Sequence, residues 1–259
     1  MTFHIATSTV SRGCLPTNNA RKRLVPGVHV PTLAFFDASI ENADLITTAD
    51  HAVKLAKAGM TGIIVQGSNS EAVHPSNSER RAITRTTREA LGQAGLPSLS
   101  LVIGCRAQST RNSIELCYEA VAHGGDYSLV LVPSYYQAQL TPSTIVEFFN
   151  DVANASPISL IIYNHPAAAS GLDLSSDIII TLARHPNIIG CRLTCRNMEN
   201  LVECCLQFGT AVLGLCVWEG WLVICFKRLW MVVRESSLVS VILPPRHALG
   251  SYHYTRVVK

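Results

Sequence analysis

Short apolar, β-branched runs alternate with longer amphipathic stretches from about residue 27 to residue 194. The apolar runs predict strands at 27–36 (GVHVPTLAFF), 62–67 (GIIVQG), 99–104 (LSLVIG), 127–132 (YSLVLV), 159–164 (SLIIYN) and 188–194 (IIGCRLT). The amphipathic stretches predict helices near 47–59, 77–94, 110–123, 141–154, 175–185 and 197–207. Thr47-Thr48-Ala49-Asp50, Ser76-Asn77-Ser78-Glu79 and Thr141-Pro142 carry helix-opening residues. Gly59, Gly124 and Gly125 stand where a left-handed residue would close a helix. Strands that alternate with helices pair in parallel through crossovers, and continuous apolar strands are those covered on both faces. The fold class is therefore α/β, as an eight-unit barrel or an open doubly wound sheet. No GxGxxG follows the first strand, which weakens the case for the dinucleotide-binding form of the open sheet.

Composition narrows the function classes. Apolar residues make up 48% of the 259 residues and charged residues 15%, enough for a large core and too apolar for a disordered chain. A net charge of +3 without a basic, aromatic-interleaved stripe argues against nucleic acid. The nine cysteines contain no CxxC, which fits reduced thiols inside a cell. Cys191 and Cys195 read as apolar core residues rather than metal ligands, and neither a metal nor a cofactor is expected. The apolar segment 211–226 holds Glu219 and runs into Lys227 and Arg228, so it reads as a buried element rather than a membrane span. Residues 1–24 carry Arg12, Arg21, Lys22 and Arg23 with no acid. They read as a disordered leader, with a mitochondrial transit peptide as the alternative, and the expected compartment is the cytoplasm or, on that alternative, the mitochondrion.

Candidate chemistry gathers at the C-terminal ends of the predicted strands: Ser68-Asn69-Ser70-Glu71, Tyr135-Tyr136, Tyr163-Asn164 and Arg192. Barrel enzymes place their sites there. Taken singly, Ser68, Asn69 and Ser70 read as a helix-capping turn, Tyr163 as an ordinary strand-end tyrosine and Tyr135-Tyr136 as a packing pair. Their joint placement at successive strand ends is what suggests a site.

Four ordered segments carry a resemblance: GSNSEAVHPSNSERR at 67–81, PSYYQAQLTPSTIVEFF at 133–149, LIIYNHPAAASGLDL at 160–174 and HPNIIGCRLTC at 185–195. Together they resemble the dihydrodipicolinate synthase / N-acetylneuraminate lyase family. The GSN triplet and the LTC tail look most like its 4-hydroxy-2-oxoglutarate and 3-deoxy-hexulosonate aldolase branch. The resemblance implies a (β/α)8 barrel and a class I aldolase, a lyase acting through a pyruvate Schiff base. It implies a pyruvate-like 2-oxo acid and an aldehyde as partners, and an assembly of two or four copies. Glyoxylate, glyceraldehyde and aspartate semialdehyde are the aldehydes it suggests. Carried onto this chain, Ser68 and Asn69 would hold the pyruvate carboxylate and Tyr163 would shuttle protons beside the imine. Tyr136 would be the second tyrosine of the relay, often serving a neighbouring subunit.

The family's imine lysine falls on Arg192. A guanidinium is delocalised and cationic, so it cannot become the neutral amine that attacks a carbonyl. Three further departures accompany it. Ser70 replaces a glycine before Glu71, where strain is expected; Arg196 replaces a small residue; and the loop NHPAAASG lacks an arginine for a distal carboxylate, which disfavours a dicarboxylate. The resemblance fades near residue 214, so the barrel is expected to be incomplete after its sixth or seventh strand. The segment TAVLGL reads as that seventh strand and 237–243 (SLVSVIL) as a candidate closing strand. Three regions follow: 1–24 a leader, 25–214 an aldolase-like barrel domain, and 215–259 a divergent tail. Three functional readings remain: an aldolase by descent, an inactive relative that binds an oxo acid, and a truncated product without function.

Overall fold

The computed structural model describes residues 24–195 except Pro26, and the backbone alone of five later strands between residues 212 and 242. The expected leader and the helix expected at 197–207 lie outside the described residues, apart from residue 24.

Seven strands form one parallel sheet in sequence order: β1 (His29–Pro31), β2 (Gly62–Val65), β3 (Ser100–Gly104), β4 (Tyr127–Leu131), β5 (Ser159–Asn164), β6 (Ile188–Leu193) and β7 (Val212–Gly214). Five helices fall between the first six strands: α1 (Leu45–Lys57), α2 (Asn77–Gln93), α3 (Thr110–Ala122), α4 (Pro142–Ala155) and α5 (Ser176–Ala183). This consecutive parallel order with one helix per crossover is the architecture of a (β/α)8-type barrel wall. β2, β3, β4 and β5 are buried along their whole length, and one core joins them to Ala52, Leu91, Cys117, Phe149, Val152, Ile179 and Leu182 of the helices. Apolar side chains on both strand faces are what parallel strands under helices require.

Helix starts follow local chemistry. Ser76 caps α2 in a reciprocal capping box with Glu79, and Thr141 caps α4 with Pro142 in its first turn. Gly59 and Gly124 take positive φ just after α1 and α3, whereas Gly125 does not. α1 opens earlier than the Thr47-Thr48-Ala49-Asp50 reading placed it. Its cap is Asp44, whose carboxylate accepts from the Thr47 amide at 2.9 Å and hydroxyl at 2.6 Å.

Two strand expectations need correction. The run at 27–36 yields only the three residues of β1; beyond them the chain folds back, and Phe36 makes an isolated antiparallel bridge to Ala43. The segment 237–243 does not close the barrel. Its residues Leu238–Ile242 form the edge strand β11 of a separate antiparallel sheet ordered β11-β10-β9-β8, with β8 Cys216–Trp218, β9 Trp221–Phe226 and β10 Leu229–Arg234. The apolar segment 211–226 thus enters strands β7, β8 and β9. Among the described residues no helix is long and apolar enough to cross a membrane.

Candidate functional site at the strand ends

The turn after β2 is built first. Gln66 takes a left-handed φ of 59° and is held there by its amide, which donates to Thr84 Oγ1 at 2.9 Å on α2. Gly67 then starts a 3₁₀ turn at Ser68–Ser70 that ends on Glu71, φ 47°. Ser70 itself has no positive φ, so the strain expected from losing a glycine there is absent. Its buried hydroxyl instead donates to the Thr32 carbonyl at 2.7 Å and lies 3.1 Å from the Thr32 hydroxyl, fastening the turn to the end of β1. That clamp leaves Ser68 and Asn69 on the exposed crest of the turn.

β5 and β6 supply the next pair. Tyr163 and Arg192 are register partners, so their side chains leave the sheet on the same face. Tyr163 is 5% exposed and Arg192 4%. The Arg192 guanidinium carbon lies 4.6 Å from the centre of the Tyr163 ring, a cation–π contact, and the Tyr163 hydroxyl lies 3.1 Å from Ser68 Oγ. A Cβ placed on Gly67 would come within 3.9 Å of an Arg192 terminal nitrogen, which puts the guanidinium against the Ser68 turn. Three of the predicted residues, from β2, β5 and β6, therefore meet. Burial pulls the pKa of Arg192 down, opposed by the neighbouring Tyr163.

Asn164, pointing the other way, accepts from the Leu174 amide at 3.1 Å and donates to Asp173 at 2.7 Å. That pair staples the loop after β5 and delivers His165, which stacks on Tyr163 with centroids 5.3 Å apart and planes 16° apart. Burial, then the charges of Arg192 and Arg106, hold His165 below the ordinary histidine pKa. Arg106, just past β3, donates to Ser134 Oγ at 3.1 Å beyond β4. Gln108 accepts from the Ser134 and Tyr135 amides at 2.8 and 3.0 Å and fixes that loop.

Sequence reasoning missed Arg106 and His165. The signal for Arg106 was present, because Gly-Cys-Arg occurs twice, at 104–106 and 190–192, each time at a strand end. Tyr136 is not drawn into the cluster: it is 67% exposed and packs edge-on against Tyr135 with centroids 4.8 Å apart. Asn69 is likewise exposed, on the crest of its turn. Cys191 is fully buried and Cys195 half-buried, and no cluster of metal-ligating side chains occurs among the described residues. A groove of about 510 Å³ at the starts of α1 and α2, lined by Asn42, Leu45, Ser76 and Glu79, shares none of these residues.

The chain matches the dihydrodipicolinate synthetase family over residues 26–231, a range that runs past the boundary placed at 214. It is 51% identical over 194 residues to a probable mitochondrial 4-hydroxy-2-oxoglutarate aldolase of Emericella nidulans, covering 75% of this chain and 62% of that protein. It is 47% identical over 181 residues to the L-threo-3-deoxy-hexylosonate aldolase of Aspergillus niger, covering 70% and 54%. The chain thus spans less than two thirds of either relative. Among solved structures, a dihydrodipicolinate synthase family protein of Coccidioides immitis superposes with a TM-score of 0.66 at 35% identity, covering 73% of this chain and 60% of that one. A prophage protein of the same family from E. coli K12, solved in complex with pyruvate, gives 0.64 at 28% identity over 73% and 62%. With its strands in this order and its sequence matched over that range, the chain belongs to the dihydrodipicolinate synthetase family.

Proposed function

We propose that the mouth formed by Ser68, Tyr163 and Arg192 binds a pyruvate-like 2-oxo acid without forming a Schiff base. The protein is an aldolase-type lyase by descent whose covalent step is lost. The observation that carries this is the buried Arg192 guanidinium lying on Tyr163 and against the Ser68 turn. In the family reading, those neighbours surround an amine. Here they surround a group with no nucleophilic lone pair. Among the described side chains the lysines are Lys54 and Lys57, both in the last turn of α1. A helix that follows a strand ends at the opposite rim of the sheet, so neither can stand in for the missing amine.

Each residue has a defined task in this reading. Ser68 and Asn69 offer turn N–H groups and side-chain donors to the carboxylate. Arg192 supplies the fixed positive charge. Tyr163 orients the carbonyl through its hydroxyl. Tyr136, exposed as it is, suits the family role in which this tyrosine serves a neighbouring subunit. No cofactor enters the scheme. The relatives named as aldolases make an aldehyde the second partner of any residual lyase reaction.

The test is reductive trapping. Incubation with pyruvate and borohydride should leave the intact mass unchanged. In Arg192→Lys the same treatment should add one pyruvyl group. An adduct on the parent chain would overturn the loss of covalent chemistry. A folded Arg192→Lys variant that traps nothing would overturn the assignment of the mouth.

A further inference from the structure

Four residues other than glycine take a positive φ among the described residues: Glu41, Gln66, Glu71 and Ser170. Glu41, Glu71 and Ser170 are exposed. Gln66 is 4% exposed and stands between β2 and the turn that carries Ser68 and Asn69. A side chain makes the left-handed region costly, so a buried glutamine stays there only if its surroundings hold it. It is held on two sides. Its side-chain amide donates to the Arg80 carbonyl and to Thr84 Oγ1, which occupies both amide hydrogens on α2. Its main-chain carbonyl packs so closely on the end of β3 that a Cβ on Gly104 would overlap it. Arg80 also donates to the Gly104 carbonyl at 2.6 Å, which joins α2, the end of β3 and Gln66 into one unit.

The turn beyond is only partly satisfied from within. The Ser70 and Ala72 amides donate to the Gly67 carbonyl, and the Glu71 amide donates to the Ser68 carbonyl. Ser68 and Asn69 open the 3₁₀ turn, where an N–H has no acceptor inside the turn. The direction of those two N–H groups follows from the residue that feeds the chain into the turn. We propose that Gln66 is a positioning residue for this anion turn: its left-handed backbone, pinned to α2 through its side chain, holds the Ser68 and Asn69 N–H groups ready for the ligand's carboxylate. This role rests on the mouth binding a 2-oxo acid, as proposed above. A glycine at 66 would reach the same φ without strain and would leave it as freely. The glutamine is strained and tethered, so the donors are already ordered when the carboxylate arrives. Gln66 needs no contact with the ligand and acts through Ser68 and Asn69.

The experiment is calorimetric titration of the full chain and two variants with pyruvate, read beside melting curves and the amide resonances of Ser68 and Asn69. Pyruvate should shift both resonances in the parent chain. Gln66→Gly keeps the left-handed φ within reach and removes the tether. It should still melt cooperatively, bind pyruvate at least about tenfold more weakly and show smaller shifts at both amides; tenfold is the scale of one lost hydrogen bond to a charged group. Thr84→Val cuts one of the two tethers and touches nothing in the turn. It should weaken binding by about threefold. A merely structural Gln66 would lower the melting temperature and leave the affinity of the folded protein unchanged. Parent-like affinity in a folded Gln66→Gly, or in Thr84→Val if the first variant does not fold, would overturn the positioning role and leave the mouth standing. If pyruvate does not bind the parent chain, the reading of the mouth falls and the role of Gln66 with it.

Discussion

Two arginines, Arg80 and Arg192, are buried to nearly the same degree, 7% and 4% exposed, and they live in different regions of the molecule. Arg80 sits where α2 packs behind β2 and β3. Its two terminal nitrogens donate to the carbonyls of Ala72 at 2.7 Å and Gly104 at 2.6 Å, tying the site turn to the end of the next strand. Arg192 sits in the mouth with a tyrosine ring beneath it and a terminal nitrogen without a hydrogen-bond partner among the described residues. Burial lowers the pKa of both. Equal burial thus conceals opposite accounts: one guanidinium completes the backbone's hydrogen bonds, and the other is left incomplete by the fold itself. Arg80 reads as a structural tie, and Arg192 is the group on which the proposed anion site rests.

Substitution should separate the two. Arg80→Met strands two buried carbonyls and should cost about 3 kcal/mol, or roughly 10 °C in melting temperature. Arg192→Met removes a guanidinium that has no ion-pair partner among the described residues and should leave stability within about 1 kcal/mol of the parent. Equal losses in the two variants would break the comparison.

Acid sharpens it further. His165 in the mouth and His29 in the frame are both held below the ordinary histidine pKa, chiefly by burial. The unfolded chain therefore binds more protons just below pH about 6.5 than the folded one, so stability falls as pH drops through that value and is full above it. Urea midpoints measured from pH 7.5 down to 5.5 should decline, and His29→Phe and His165→Phe should each flatten the decline. A midpoint that rises on acidification would contradict the burial of both rings. The smallest effect belongs to an ordinary surface pair. Glu119→Gln breaks the 2.8 Å Arg81–Glu119 bridge, whose side chains are 38% and 30% exposed. It should change the unfolding free energy from the same urea titrations by no more than about 0.5 kcal/mol.

Much of this frame can be read from the chain because local rules suffice. Ser76 and Glu79 spell a capping box, and the strands from β2 to β6 are apolar runs of the right length. Errors arise where tertiary context decides. Asp44 opens α1 three residues before the threonines that look like caps. Residues after Pro31 are apolar enough for a strand but turn away to bridge Phe36 with Ala43. The site was half legible. Ser68, Tyr163 and Arg192 could be placed together because each follows or ends a strand. Arg106 and His165 obey the same positional rule yet look like loop residues until Asn164 and Gln108 are seen pinning their loops.

The brevity of the first strand has a last consequence. Thr32 donates its amide to Ile64 on β2, so Pro31, one residue earlier, faces the sheet's outer rim and has no N–H to offer there. Among the described residues β1 is the border of this sheet, and a stray chain seeking to extend it there finds the amide of His29 and then a gap. That shape discourages templated stacking of one molecule on another, a safeguard placed on the side where the sheet begins.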